Sequence, residues 1–503
     1  MAELTRRGFL GAAAVGALPR TAAPARAGAS RKPNVLVIYT DEHSWWTLGV
    51  YGSRLVGTPN IDRIGREGAV FRNYFVNSAV CTPSRGCFIT GRYPHAHGAY
   101  RNNIELNRDE VTLAHMFQRA GYETGMAGKW HLDGEPRPGW MKPSRSMGFA
   151  DCKWMYNRGH WKRVVERPCG WPENRSRART GRQLVQPSAP DGMPDIDYDV
   201  NAPGRYFTDW LTDKAIEFCT KKRDRPFFYY FSIPDPHTPF SVGPPYDAMY
   251  DPAEMPVPST LYQEDLPDWA AAARDQLVKR EGCSSWRDPK REQILRRRKA
   301  VYCGMVKCID DNVGRLLRAL EAAGKLDDTL IIFSADHGQY MGEHGLYFKN
   351  QLYETAHRVP MLMRLPGAIR PGTVIEECVG SVDVQPTILG LLGLEKSGRE
   401  QGHDASALLR GERTDWKNEV WIHHSSLERA GVFTPEWEFA LVKGHDTILF
   451  DRRNDPDQVR NLAEDPRYRS VVEELTERVV AHNREVDSPA LRWLARLGSS
   501  GGA

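Results

Sequence analysis

The sequence predicts an α/β fold built on a parallel sheet, and three observations predict it. The runs Asn34–Thr40, 225–233 and Thr329–Ala335 are almost uninterruptedly apolar, as strands buried on both faces must be. Amphipathic helical patterns at 205–220 and 291–324 stand between them, the second with Ile309, Val313, Leu316, Leu317 and Leu320 at core spacing and Gly324 as a stop. Each apolar run also ends in ionisable residues, and open α/β sheets gather their ligands beyond the carboxyl ends of their strands.

The first strand ends in Asp41-Glu42-His43. Two adjacent carboxylates at a strand end suit a hard cation. Thr58-Pro59-Asn60-Ile61-Asp62 then opens a short helix, read as structural.

The chemistry centres on Cys81-Thr82-Pro83-Ser84-Arg85. Pro83 suits the first turn of a helix over 83–90, which leaves Cys81 just ahead of it. Arg85 follows Cys81 by about one helical turn, so both face one pocket. A nucleophile there would feel the positive end of the helix dipole and a guanidinium, as attack on an anionic ester requires. A lone Cys is otherwise most often a small buried residue. His95-Ala96-His97 lies in the following loop and is read as holding it, while Asn102 and Asn103 are candidate donors to an oxyanion.

A helix over 112–119 stops at Gly121, and a short strand over 123–128 leads into Lys129-Trp130-His131. On an extended backbone Lys129 and His131 point the same way, one to clamp an anion and the other to move a proton. From 135 to 198 periodicity disappears, and Arg and Trp dominate; this is read as a substrate-facing insertion that grips an anionic sugar through Arg and stacks it on Trp. The strand over 225–233 ends in Pro234-Asp235-Pro236-His237-Thr238-Pro239, a rigid loop presenting His237. Asp310 and Asp311, in the middle of the long helix, are read as capping or ion-paired. Asp336-His337 ends the third strand, so Asp41 and Asp336 can converge on one ion.

Ser381 begins a helix that closes the main domain. Beyond it, strands at 419–423, 439–443 and 447–450 precede a helix at 468–485. The N-terminus carries Thr5-Arg6-Arg7-Gly8-Phe9-Leu10, a short apolar run and Ala25-Arg26-Ala27, which together read as a twin-arginine signal peptide over 1–27. No later run reaches the roughly 20 apolar residues of a membrane helix. No membrane anchor is therefore expected, and the location is expected to be periplasmic or secreted. Net charge is only +4, which argues neither for nor against a polyanionic partner, and no nucleic-acid partner is expected. Of nine cysteines, Cys303 and Cys308 read as core, and Cys152 with Cys169 as a loop disulfide.

Cys81-x-Pro83-x-Arg85 followed by Gly91-Arg92-Tyr93-Pro94-His95, then Gly128-Lys129-Trp130-His131-Leu132, the His237 loop, Asp336-His337-Gly338, and Gly342-Glu343-His344-Gly345-Leu346 with Lys349 before Leu352-Tyr353-Glu354, resemble the motifs of the sulfatase family in family order. The resemblance spans about 33–487. It implies the alkaline-phosphatase-like sandwich, a mixed, mainly parallel sheet flanked by helices, with a catalytic domain over 33–395 and a small antiparallel sheet-and-helix subdomain over 412–490.

By the same resemblance, Cys81 is oxidised by a formylglycine-generating enzyme to Cα-formylglycine, whose hydrate attacks sulfur to give a covalent sulfo-enzyme. Asp41, Glu42, Asp336, His337 and residue 81 are the implied ligands of Ca2+, with Mn2+ or Mg2+ as alternatives. Lys129, Lys349 and Arg85 are implied to neutralise the sulfuryl oxygens, His237 to protonate the leaving alcohol and His131 to deprotonate the second hydroxyl. Two positions depart from the common pattern: His337 replaces Asn, and Glu42 replaces a second Asp. Three functions follow: a sulfuric ester hydrolase acting on a sulfated small molecule or glycan, a phosphonate or phosphate monoester hydrolase of the same superfamily, and a non-catalytic anion- or glycan-binding protein. A twin-arginine substrate leaves the cytoplasm folded, so maturation would precede its passage through the translocase.

Overall fold

Asn34–Thr40 runs through the middle of an eight-stranded sheet, paired in parallel with Phe227–Ser232 on one side and Thr329–Ala335 on the other. The structure is a computed structural model that describes residues 32–134, 140, 145–165, 175–177, 183–185, 195–202 and 204–495. The central run is continuously apolar because it serves two cores. Val35, Val37 and Tyr39 enter one hydrophobic cluster and Leu36 and Ile38 the other, all fully buried. Each such side chain contributes roughly 1.5–3 kcal/mol. Tyr39 stands opposite Ser232 and Ser334, so the three strands end level.

Glu123–Lys129 and Asp151–Tyr156 extend the sheet in parallel. On the other side lie Met361–Arg364, antiparallel to both its neighbours, then Ala69–Phe75 and Thr373–Gly380. One face carries Phe207–Thr220 and the C-terminal half of Lys290–Ala322. The other carries Cys81–Thr90, Leu113–Arg119 and Val384–Leu391. The mixed, mainly parallel sheet flanked by helices is the alkaline-phosphatase-like architecture that the motifs imply. Asp310 does cap: one carboxylate oxygen accepts from the backbone of Asn60 and Ile61, each at 2.9 Å, at the start of Pro59–Arg66.

The small antiparallel sheet has four strands, Val420–His423, Arg429–Phe433, Trp437–Val442 and Ile448–Asp451. Arg429–Phe433 was not expected, because Gly431 interrupts a run of five. A side chain at Gly431 would start 2.2 Å from the Phe439 carbonyl, so this position brings two backbones together. Leu475 and Val479 of Arg469–Glu485 pack on Val432, Phe439 and Leu449. Phe75 stacks on Phe433 at 4.4 Å and ties the two sheets.

The aperiodic segment differs from expectation. Its described parts hold short strands: the sheet edge Asp151–Tyr156, a three-stranded sheet of Asp195–Asp197, Arg163–Val165 and Arg205–Tyr206, and a pair of Arg175–Arg177 with Gln183–Val185. Trp161 is fully buried and Trp140, Trp154 and Trp210 pack edge to face, so these rings build structure rather than an open platform. Trp171, Arg167, Arg179 and Arg182 lie outside the described residues, as does the 1–27 signal. Cys152 carries a free thiol, and its expected partner Cys169 also lies outside. Cys303 and Cys308 are buried, as expected. Among the described residues, no helix is long and apolar enough to cross a membrane.

Burial holds six imidazoles neutral, pushing His43, His97, His344, His424 and His482 down to about 3 and His357 to about 4. In the unfolded chain these rings take up protons near about 6.5. Between those values the unfolded state binds more protons, so stability rises with pH across this window and is level above it. Thermal unfolding should give a constant Tm between about pH 7.5 and about pH 8 and a falling Tm below about pH 6.5. A Tm independent of pH down to about pH 5 would contradict this account of the core.

Candidate active site

The level strand ends place Asp41, Lys129, Ser232 and Asp336 around one point, and the helix Cys81–Thr90 delivers Cys81 to it. Cys81 is the first residue of that helix, rather than the residue before it. Its Sγ lies 3.2 Å from His337 Nε2, 3.2 Å from Lys349 Nζ and 3.8 Å from Asp41 Oδ1. Burial and the carboxylates of Asp41 and Asp336 raise the thiol to about 11 against the pull of Lys129 and Lys349. The unmodified side chain is therefore a protonated thiol near neutral pH and a weak nucleophile.

Asp41, Cys81, Asp336 and His337 are all buried, and each offers one donor atom within 4.8 Å of the other three. His337 Nδ1 lies 2.9 Å from the Gly338 carbonyl and so donates to it, which leaves the Nε2 lone pair facing the cluster. Two carboxylates and one imidazole nitrogen in a buried pocket fit a divalent cation. Glu42 is not among these four. Its carboxylate meets Lys349 Nζ and lies 3.2 Å from His237 Nε2, with Oε2 buried and unpartnered among the described residues.

Arg85 sits beneath this cluster. Its Nε donates to Asp336 (2.9 Å), Nη2 to Asp41 (3.1 Å), and Nη1 to the Lys129 carbonyl (2.9 Å) and Ser232 Oγ (2.8 Å). The sequence expectation had Arg85 facing the substrate anion. In the structure all three guanidinium nitrogens are spent on the two carboxylates and the strand ends. Lys129 Nζ meets Asp41 Oδ2, the same oxygen that Arg85 Nη2 reaches. Burial works against ionising Asp41, but the charges of Lys129 and Arg85 hold it well below the ordinary range.

Lys349 Nζ also lies 3.0 Å from His237 Nε2. Burial opposes its charge, but the carboxylates of Glu42, Asp41 and Asp336 raise it, so it stays an ammonium. His237 Nδ1 donates to the Thr238 carbonyl at 2.6 Å, so Nε2 is the nitrogen free to exchange a proton. Burial and Lys349 keep that ring neutral. The His237 loop is moored by Asp235, which accepts from Lys162 (2.5 Å), Tyr206 (2.6 Å) and Thr208 (2.7 Å).

His131 departs from the extended geometry expected of it. The strand ends at Lys129, and His131 has φ +59°. Its carbonyl accepts from Thr82 Oγ1 at 2.8 Å, and its ring Nδ1 is buried with no partner among the described residues. Burial and Lys129 keep this ring neutral as well. Glu42 shares the left-handed conformation, at φ +61°. Such backbone strain outside glycine gathers where a site fixes side-chain direction. Asn102 Oδ1 accepts from Thr82 N at 3.0 Å and so caps the Cys81 helix, and Asn103 Oδ1 accepts from Arg158 at 2.9 Å; neither contact engages the Nδ2 donor of its amide. His97 bonds the Pro83 carbonyl, holding its loop as expected.

Sequence reasoning missed Ser232, Asp235 with Lys162, and His160. The His160 ring stacks on His237 with centroids 3.4 Å apart and planes within 3°. Ser232 and Asp235 lie at a recognised strand end and were within reach of such reasoning. His160 lies in the aperiodic segment, where no spacing marks it.

The sulfatase family profile matches residues 33–394, and that of the N-sulphoglucosamine sulphohydrolase C-terminal region matches 342–485. An N-acetylglucosamine-6-O-sulfatase of Bacteroides thetaiotaomicron is 28% identical over 501 aligned residues, covering 86% of this chain and 83% of that protein. A solved structure in complex with its substrate D-glucosamine-2-N,6-O-disulfate is 25% identical, with a TM-score of 0.71 over 91% of this chain and 99% of that one. The phosphonate monoester hydrolase of Silicibacter pomeroyi shares the fold, with a TM-score of 0.70, 23% identity, and 91% of this chain and 96% of that one covered.

Removing a buried cation from between two buried carboxylates costs about 3–5 kcal/mol. Arg85→Met should lose that much in urea unfolding of chelator-treated protein. A loss below about 1 kcal/mol would show that the Arg85 bridge does not hold the site together.

Proposed function

The chain belongs to the sulfatase family, and on that premise we propose that this sulfatase hydrolyses a sulfate monoester of a sulfated carbohydrate at residue 81. The observation that carries the reading is the convergence of Cys81 Sγ with three other cation-ligand donors, from Asp41, Asp336 and His337, and with the ammonium of Lys349, while Lys129 meets Asp41. The carbohydrate follows from the relatives, one an N-acetylglucosamine-6-O-sulfatase and one solved with a glucosamine disulfate.

In this reading Asp41, Asp336, His337 and residue 81 hold the divalent cation, Ca2+ by choice with Mn2+ or Mg2+ as alternatives. When bound, it polarises the sulfuryl oxygens. A maturation enzyme oxidises Cys81 to formylglycine, whose hydrated aldehyde supplies the nucleophile. Glu42 either reaches the cation or orients Lys349 and His237. Lys129 and Lys349 offset the charge that develops on the sulfuryl oxygens. Arg85 fixes the two carboxylates and thereby the distance between nucleophile and anion. Lys349 Nζ and His237 Nε2 hold between them the proton for the leaving oxygen. His131, neutral and with Nδ1 unpartnered, is the candidate base that resets the centre. The N-terminal twin-arginine pattern supports export of the folded enzyme through its translocase to the periplasm or beyond.

The second reading, a phosphonate or phosphate monoester hydrolase, is favoured by His337 beside Asp336 and by the fold shared with such an enzyme. The two separate on a set of esters with one leaving alcohol. The sulfate should show a kcat/KM at least about tenfold above the phosphate and the phosphonate. Cys81→Ala should lose about 10⁴-fold or more, as removal of a nucleophile does. A higher kcat/KM on the phosphorus esters would install the second reading, and unchanged turnover by the Cys81→Ala protein would remove both.

A further inference from the structure

A groove of about 420 Å³, within the size range of ligand pockets, lies beside the segments that carry His237 and Lys349. Two of its walls are chain neighbours of residues already placed at the reacting centre. Thr238, Pro239 and Phe240 follow His237, and Phe348 precedes Lys349. The outer wall is the helix Lys290–Ala322, through Val301 and Arg297. Rings and aliphatic faces thus line the sides, with a few polar groups at fixed points.

Two of those polar groups have no partner among the described residues. Gln339 is fully buried at the groove; its Nε2 donates to the Tyr340 carbonyl at 3.2 Å, but Oε1 accepts nothing. A buried acceptor without a donor is costly, and a ligand hydroxyl would satisfy it. Arg297 is exposed at the rim. The residues three and four away on its helix, Gln293, Ile294, Ala300 and Val301, carry no charge to pair with it. Its neighbour Arg298 is engaged, 2.5 Å from Glu281 and over the Tyr347 ring at 4.6 Å.

We propose that this groove is the leaving-group subsite and takes a ring bearing hydroxyls and a second anionic substituent. This assignment rests on the sulfate ester hydrolase reading. The ring lies along Phe240 and Phe348, one hydroxyl donates to Gln339 Oε1, and the second anion pairs with Arg297. The scissile oxygen then falls between His237 and Lys349, the two residues whose chain neighbours form the walls. A simple monosulfate fills the reacting centre but leaves Arg297 and Gln339 unpaired.

The test compares 4-nitrophenyl sulfate with its 3-carboxylate derivative on purified, matured enzyme. An exposed ion pair is worth a factor of up to about five. The wild type should favour the carboxylate by about that factor in kcat/KM. The preference should vanish in Arg297→Ala, reverse in Arg297→Glu, and return in part in Arg297→Lys. An equal ratio in wild type and Arg297→Ala, with the parent ester still hydrolysed, would overturn the subsite and leave the hydrolase reading standing. A wild type that hydrolyses neither ester would overturn both.

Discussion

A buried guanidinium between two buried carboxylates is the constraint on which the site depends. Arg85 reaches Asp41 and Asp336 from the first turns of a helix, and each carboxylate stands at the end of a different strand. The contact therefore fixes helix to sheet, not only charge to charge. It also brings Ser232 and the Lys129 carbonyl into the same hydrogen-bond set, so four strand ends are held at one level. An ion pair this deep is justified less by net stability than by the geometry it imposes, since an apolar substitute of both sides would pack as well. Here the geometry is the position of residue 81.

Charge balance follows from the same arrangement. Asp41, Glu42 and Asp336 face Arg85, Lys129 and Lys349, so the pocket's own groups cancel while its imidazoles stay neutral. A divalent cation in the donor cluster makes the pocket positive, and a monoanionic sulfate ester offsets one of those two charges. The backbone is shaped to allow this crowding. Gly128 sits at φ +102°, where a side chain would begin 1.7 Å from the Ser232 carbonyl, so only glycine lets the two strands close over Lys129.

The architecture was largely legible because its central strands are buried on both faces. Asn34–Thr40, Phe227–Ser232 and Thr329–Ala335 announce themselves as apolar runs ending in acids, and the level ends follow from parallel pairing. Met361–Arg364 and Asp151–Tyr156 are too short or too mixed to carry such a signal, and their pairing is set by tertiary contacts. The site was legible at the level of which residues gather. Side-chain direction was not: a spacing of four places Arg85 beside Cys81 but cannot say that its three nitrogens turn to the carboxylates. Likewise, alternation predicts one face for Lys129 and His131 only while the strand lasts, and it stops at Lys129.

The account stands on the claim that the nucleophile is not the encoded thiol, which burial and two neighbouring carboxylates make a weak one. Peptide mass spectrometry of residue 81, on active enzyme from its own host, tests this most directly. Replacement of the thiol by an aldehyde lowers the residue mass by about 18 Da, and the account predicts that shift in the active fraction. An unmodified cysteine in protein that still hydrolyses sulfate esters would contradict it.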